Sequence, residues 1–547
     1  MELMKKTVLI FCFLSGYLVL FFHLGFMPFY GADEPRYARV GQEMLENRDF
    51  VTPTLDHRPW LEKPPLLYWM ESASYAVFGL NERAARLPNA ILTLLAALAI
   101  GYLGWRITGE AWCGVYAYLI LLSSFLFVIL GRAASTDMAL TVPYALMLIS
   151  AFLAIEEDSV GWACLAGFCG ALAVLAKGPV GVVLALGTLF IYLLILRRYP
   201  SGKIFYGFVL VLTVAALPWF ILVWAANGEN FFLTFIVNHH IARFITSLHH
   251  HSQPFWYYIP VLIVGFFPWV FFLFPAAKDF LKQNWELTSS EFRLRLFLWL
   301  WALIPLLFFS LSSAKLPGYI LPSIPPLALI VSMEWKRYQE NNLKILPGRW
   351  MQILLVTTAV LLAVAFPLAA KLEYGRIDVG LSAGIPILAG IVMGVWWVRK
   401  HLVTSSFLAI TGGMIISISA LFAIGSPVFA RYHSTAELVH SVVHEISARQ
   451  PLVQYRFFHH TAVYYTDGEI TPDSLNSPQE MIEYVNRHPQ DTYIMLTTGH
   501  GLEEFHSLQG TQVTGPVGKL YILKLQNQDR QLTQRIRESL IKAPAVT

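Results

Sequence analysis

Two acids, a proline and an arginine stand together near the start of the chain, in Tyr30-Gly31-Ala32-Asp33-Glu34-Pro35-Arg36-Tyr37. Proline is favoured in the first turn of a helix, and carboxylates there suit the positive end of the helix dipole. The simplest role for Asp33 and Glu34 is to cap that helix. The other is acid–base or electrostatic work by a carboxylate. Further on, Trp60-Leu61-Glu62-Lys63-Pro64-Pro65 leads into Leu66-Leu67-Tyr68-Trp69-Met70. A double proline followed by apolar and aromatic residues predicts a helix lying in the plane of a membrane interface, with Glu62 and Lys63 at its N-terminal end. A lysine beside a helix N-terminus suits a phosphate. A snorkelling lysine with a solvated glutamate is the commoner fate of such a pair.

Other charged residues stand where charge is costly. Lys177 and Lys315 each follow an apolar run, Lys315 just before Leu316-Pro317-Gly318-Tyr319. Lysines at the edge of a membrane either snorkel or serve a function such as neutralising lipid phosphates. Arg132 and Asp137 share a short loop, and a pair of that kind exposed to water is worth little. His239, His240, His249, His250 and His251 crowd one later loop with Arg243. Histidine is a common metal ligand, but no spacing here specifies a metal site. The guanidinium of Arg243 can hold a phosphate through two bonds.

The elements that must position these residues are membrane helices. Of 547 residues, 56% are hydrophobic and 14% charged, against roughly 25% charged in soluble domains. Lipid must be the solvent for much of the chain. Apolar runs lie near 8–27, 88–105, 111–130, 138–155, 161–176, 179–196, 204–224, 256–276, 294–311, 317–333, 351–370, 381–398 and 404–424, which predicts about 13 spanning helices. The first is long enough to be an uncleaved span. Cys12, Cys113, Cys164 and Cys169 all fall inside apolar runs, which argues against a disulfide framework or a zinc site. The net charge of +4 forms no basic stripe, so nucleic-acid binding has no support.

Short loops rich in lysine and arginine alternate with poorer ones. The rich set holds Lys5, Lys6, Arg106, Arg197, Arg198, Lys203, Lys278, Lys282, Arg293, Arg295, Lys336, Arg337, Lys344, Arg349, Arg399 and Lys400. That set marks the cytoplasm, which puts the N-terminus inside and the C-terminus outside. Two outer loops are long, 28–88 and about 225–255. The membrane region takes 1–428. The polar tail, 429–547, alternates strand-like pieces (Leu452–Phe458, Thr492–Thr497, Leu520–Lys524) with helical ones (Ala436–Arg449, Pro478–His488), and is expected to be a small α/β domain outside the membrane.

The run Asp33-Glu34-Pro35-Arg36-Tyr37-Ala38, then Glu62-Lys63-Pro64-Pro65 and Tyr68-Trp69, resembles the polyprenyl-phosphate-dependent GT-C glycosyltransferases. The likeness is strongest to the bacterial lipid A 4-amino-4-deoxy-L-arabinosyltransferases, relatives of the protein O-mannosyltransferases. Further matches are Arg132 to Asp137, Lys177-Gly178-Pro179, His240-Ile241-Ala242-Arg243-Phe244, Pro254 to Tyr258, and Lys315 to Pro322. They span the membrane region and fade in the tail.

The resemblance implies an all-α GT-C membrane bundle in the bacterial inner membrane, with its active site facing the periplasm. It implies a sugar donor on undecaprenyl phosphate and lipid A or another envelope acceptor. Asp33, Glu34 and Asp137 would be the acids, and Lys63, Arg36, Tyr37, Lys177, Arg243, Lys315 and Tyr319 the substrate- and phosphate-binding residues. Glu62 and His240 would hold a divalent metal, Zn or Mg. No P-loop-type glycine motif appears, so no nucleotide cofactor is expected. A monomer is expected. A transporter or flippase is the competing class, but no clear internal repeat is visible and the chargeable residues gather at the outer face. Within the enzyme class, a protein O-mannosyltransferase or a lipopolysaccharide-core transferase remains open.

Overall fold

The computed structural model describes residues 2–235, 253–283, 285–340, 349–446, 450–471, 474–505, 508, 511–527 and 531–542. By contact the chain forms two units, Met1–Gly25 with Val40–Ile424, and Phe26–Arg39 with Gly425–Thr547. The division falls inside the helix Asp33–Asn47.

In the first unit the apolar runs become helices because no other spanning structure satisfies its own backbone in lipid. Among the described residues eight helices are long and apolar enough to cross a membrane, and ten if each of two bent pairs counts as one span. Lys6–Phe21 and Val180–Leu196 are shorter apolar helices. The helix Thr136–Glu157 is the central one, with 94% of its apolar window buried, whereas only 17% is buried in Gly202–Asn227. The latter turns its side chains to lipid. Polar caps start several helices. Asn81, for instance, accepts from the Ala84 backbone N–H at 2.9 Å ahead of Glu82–Thr108.

The two bent pairs are Ala111–Leu122 with Phe125–Arg132, turned by 65°, and Phe255–Gly265 with Trp269–Lys282, turned by 109°. Their breaks meet. Ser123 and Ser124 return their hydroxyls to the carbonyls of Leu119 and Ile120 at 2.6 Å. The Trp269 indole N–H, at the start of the second half of the other pair, donates to Ser123 Oγ at 2.9 Å in the buried core. A bend of this kind is tolerated at membrane depth only where protein re-satisfies the freed backbone.

The stretch after the Asp33 helix forms a short hairpin, β1 (Thr54–Leu55) and β2 (Arg58–Pro59), and a helix, Leu66–Phe78. Three side-chain donors pin the stretch before and within it. Trp69 donates to the Phe50 carbonyl at 2.8 Å, Trp219 to that of Val51 at 3.0 Å, and Asn227 to the Thr52 hydroxyl at 2.9 Å.

In the second unit the strands β3 (Val453–Tyr455), β4 (Thr492–Thr498), β5 (Gln512–Val517) and β6 (Leu520–Gln526) form one sheet in the order β3-β4-β6-β5. β3 runs parallel to β4, and the other pairings are antiparallel. Side chains alternate across β4. Tyr493 and Met495 face a core with Met481, Val485 and Phe505, while Ile494 and Leu496 face another with Leu438, Val439 and Val463. The predicted strands at Thr492 and Leu520 run slightly longer than expected, that at Leu452 is shorter, and β5 was not expected. The helical stretch from Ala436 ends at Val442 and continues as a 3₁₀ turn, Val443–Glu445.

Candidate active site

The residues nominated from the sequence fall in both units. In the second unit the helix Asp33–Asn47 opens on the two acids, as the proline behind them predicts. Asp33 Oδ1 accepts from Arg36 Nη2 at 2.5 Å, and Arg36 Nε donates to the Ala32 carbonyl at 2.9 Å. Asp33 keeps about half of its side chain exposed, 52%, whereas Glu34 is 4% exposed and Tyr37 6%. One acid of the first turn is therefore accessible and the other is packed away.

The same stretch is held from the tail. The Phe29 backbone N–H donates to the Tyr465 hydroxyl at 2.8 Å, and the Phe29 ring meets Tyr464 edge-on at 4.8 Å. Tyr30 meets Phe429 edge-on at 5.2 Å. Arg39, 3% exposed, is ion-paired with Asp467. Burial, the Arg36 guanidinium and His459 together push the His460 imidazole down to about 4, against a smaller upward pull from Asp33. His459 is also pushed down, by burial and then by His433, and its Nδ1 lies 2.6 Å from the Thr461 hydroxyl.

In the first unit Lys63 Nζ donates to the Glu62 carbonyl at 3.3 Å, just ahead of the helix Leu66–Phe78. Glu43 lies fully buried, and its Oε2 accepts from the Thr54 hydroxyl at 2.7 Å and the His57 backbone N–H at 3.1 Å. It thereby fixes a tight turn in which Asp56 and His57 both have positive φ, 52° and 60°. Gly41 meets Glu71 so closely that a Cβ there would lie 2.8 Å from the Glu71 Cβ. The Ser72 hydroxyl donates to the Gly41 carbonyl at 2.7 Å. These contacts seat the second half of the Asp33 helix against the helix that Lys63 precedes.

A second cluster forms where three loops of the first unit converge. Asp137, in the first turn of Thr136–Glu157, is ion-paired with Lys177 at the end of Val160–Lys177. The Lys177 ammonium lies 5.0 Å from the centre of the Tyr319 ring, and Tyr319 in turn lies 5.1 Å from Phe309. A Cβ at Gly318 would overlap the Asp137 carboxylate. Arg132 does something else. It donates to the carbonyls of Val19 and Phe22 at 3.0 and 2.8 Å and stacks over Phe422 at 3.8 Å. Lys315 is 5% exposed and donates to the carbonyls of Gln253 and Ser312 at 2.9 and 2.5 Å.

The structure thus joins Asp33 to Arg36, and Asp137 to Lys177, Gly318 and Tyr319. It gives Lys315 to backbone carbonyls. His240 and Arg243 lie outside the described residues. With His240 outside, Glu62 alone remains of the expected metal pair, and among the described residues no three His, Cys, Asp or Glu side chains are grouped to hold an ion. Sequence reasoning missed Arg39, Glu43, Tyr465, Asp467 and His460. Arg39 follows Arg36 by one turn and was open to notice. Nothing near Tyr465 or Asp467 reads as a motif.

The residues 62–224 match a family model described as dolichyl-phosphate-mannose-protein mannosyltransferase. The crystal structure of ArnT from Cupriavidus metallidurans bound to undecaprenyl phosphate superimposes with a TM-score of 0.79, at 22% identity, over 95% of this chain and 97% of that one. The chain therefore shares the GT-C membrane fold of that structure, with at least eight helices among the described residues apolar enough to cross a membrane. Among its sequence relatives are enzymes named undecaprenyl phosphate-alpha-4-amino-4-deoxy-L-arabinose arabinosyl transferase. The one from Shewanella sediminis is 32% identical over 59% of this chain and 58% of its own length. The one from Edwardsiella ictaluri is 31% identical over 66% of each chain. The resemblance read from the Asp33 and Glu62 motifs therefore holds, although the chain spans less than two thirds of the length of these curated relatives.

Proposed function

We propose that the protein transfers a sugar, 4-amino-4-deoxy-L-arabinose, from undecaprenyl phosphate to a phosphate of lipid A at the periplasmic face of the inner membrane. The observation that carries this reading is the ordered set of charged motifs, Asp33 to Ala38, Glu62 to Trp69, Asp137, Lys177 and Lys315 to Pro322, set along a GT-C fold matched over 95% of the chain. The topology it needs is thirteen spans, with the first outer loop and the tail outside.

The reaction is a single displacement with inversion. An oxygen of the acceptor phosphate bonds to the anomeric carbon as the bond from that carbon to the polyprenyl phosphate oxygen breaks. The bonding pair leaves on the polyprenyl phosphate. The acceptor is already ionised, so no proton needs to be removed. Asp33 is the accessible acid, and its work is to orient the sugar or to balance positive charge that develops on it. By the resemblance, Lys63, Arg36 and Arg243 are the first choices for the leaving phosphate. Lys63 stands just ahead of the helix Leu66–Phe78, and its ammonium can form a charge-assisted bond to a phosphate. Lys177 already answers Asp137, and Lys315 answers two carbonyls. Their charges act at longer range. Tyr319, whose ring lies 5.0 Å from the Lys177 ammonium, is the tyrosine available for sugar contact, whereas Tyr37 is buried. A divalent metal on Glu62 and His240 would add positive charge near a phosphate, and no step above depends on it.

The test is mass spectrometry of lipid A and of envelope proteins from cells with and without the gene product. A gain of one pentosamine per phosphate is expected. Hexose on protein hydroxyls would support a second reading, which the mannosyltransferase family match favours. No change in either would sink sugar transfer.

A further inference from the structure

The stretch 26–39 folds with the tail rather than with the membrane helices. Contacts with the tail lie on both sides of the acidic turn. Before the acids, the Phe29 backbone N–H donates to Tyr465 and Tyr30 packs on Phe429. After them, Arg39 pairs with the Asp467 carboxylate and donates to the Asp467 carbonyl at 3.4 Å. Between these anchors lie the helix start and the Asp33–Arg36 pair. Tyr465 and Asp467 sit at the end of one short helix, His460–Tyr465, and in the turn after it. One small piece of the tail therefore grips both sides of the acidic turn.

We propose that Tyr465 and Asp467 are positioning residues for sugar transfer, clamping the two sides of the Asp33–Arg36 turn so that the C-terminal unit sets the aim of the Asp33 carboxylate. The inference rests on the reading of Asp33 given above. The chemistry of the clamp is asymmetric. The Arg39 guanidinium is 3% exposed, and a buried cation needs its counter-charge. The Asp467 side chain is 75% exposed, so replacing its carboxylate leaves no cavity. The Tyr465 hydroxyl accepts the N–H of Phe29, four residues before the helix begins. Loss of either anchor lets the turn shift while the sheet and membrane helices stay folded. A misplacement of ~1 Å can cost on the order of 100-fold in rate.

The experiment uses the full chain in detergent, with undecaprenyl phosphate-aminoarabinose as donor and lipid A as acceptor. Asp467→Asn, Tyr465→Phe, Asp467→Glu and Asp33→Asn are compared for kcat, donor KM and thermal midpoint. Asp467→Asn and Tyr465→Phe are expected to lower kcat by about 10- to 100-fold, with donor KM unchanged, and with the thermal midpoint lowered only in Asp467→Asn, where Arg39 loses its counter-charge. Asp467→Glu should recover most of the loss, and Asp33→Asn should be inactive. Wild-type kcat in both clamp variants beside an inactive Asp33→Asn would overturn the clamp and leave the proposed function standing. So would a loss that tracks a lowered thermal midpoint and is not recovered by glutamate, or a change confined to donor KM. A fully active Asp33→Asn would remove the carboxylate's role, and the clamp with it.

Discussion

Asp33 and Glu34 are neighbours with different surroundings, one half-exposed beside Arg36 and one buried. That contrast could not be read from the motif, because helix phase decides which first-turn side chain faces in. The same limit applied to Lys315. Its position at the end of an apolar run marked it as costly, and the structure shows the cost met by carbonyls. Lys63 is where the residue-scale prediction is sharpest. Lys63→Ala removes a cation from the leaving phosphate and should cost roughly 2–4 kcal/mol of transition-state stabilisation, on the scale of a lost oxyanion donor. Turnover of undecaprenyl-phosphate sugar at the wild-type rate by folded Lys63→Ala protein would refute that role. His460 offers a different handle. It sits near 4 in the folded chain and returns to 6.5 on unfolding. Between these values the unfolded chain binds the extra proton, so this contribution is fully present above pH 6.5 and is lost as pH falls through 4. His460→Gln should flatten the dependence of the thermal midpoint on pH across that window. His459 will leave some slope behind, because it is pushed the same way. An unaltered slope would show that His460 is not held neutral.

At the scale of elements, the apolar runs were legible because length and hydropathy alone demand helices in lipid. The breaks were not. Ser123 and Ser124 interrupt a run whose average stays apolar, and a window blurs them. Strand β5 was hidden for another reason. Its residues are mostly exposed, and Gly515-Pro516 lies within it, so it lacks both the alternation and the propensity of a strand. The cluster of Asp137, Lys177, Gly318 and Tyr319 was visible as separate motifs, but only the fold shows why the third is a glycine. Gly318→Ala should push the Asp137 carboxylate away from Lys177 and cost ~1–3 kcal/mol of stability as an overpacked contact. Thermal unfolding together with transfer activity would check it. A variant matching the wild type in both would mean that the loop yields without moving Asp137.

For the molecule as a whole, the distribution of lysine and arginine predicts an orientation that the helices alone do not. Reporter fusions after Pro427 should behave as exported, and a cytoplasmic signal there would invert the topology on which the proposed function depends. The long-range partners of the first loop were beyond sequence reading, since Arg39 and Asp467 are separated by 428 positions. The two bent pairs carry a consequence for how the chain is made. Ala111–Leu122 and Phe125–Arg132 have 12 and 8 residues, lengths of ~18 and ~12 Å against a hydrocarbon layer of ~30 Å. Neither half is a stop signal by itself. The later pair completes its bend by reaching Ser123, which leaves the ribosome well before Trp269 does. The bond that ties the two bends together therefore forms only after the second pair has been synthesised.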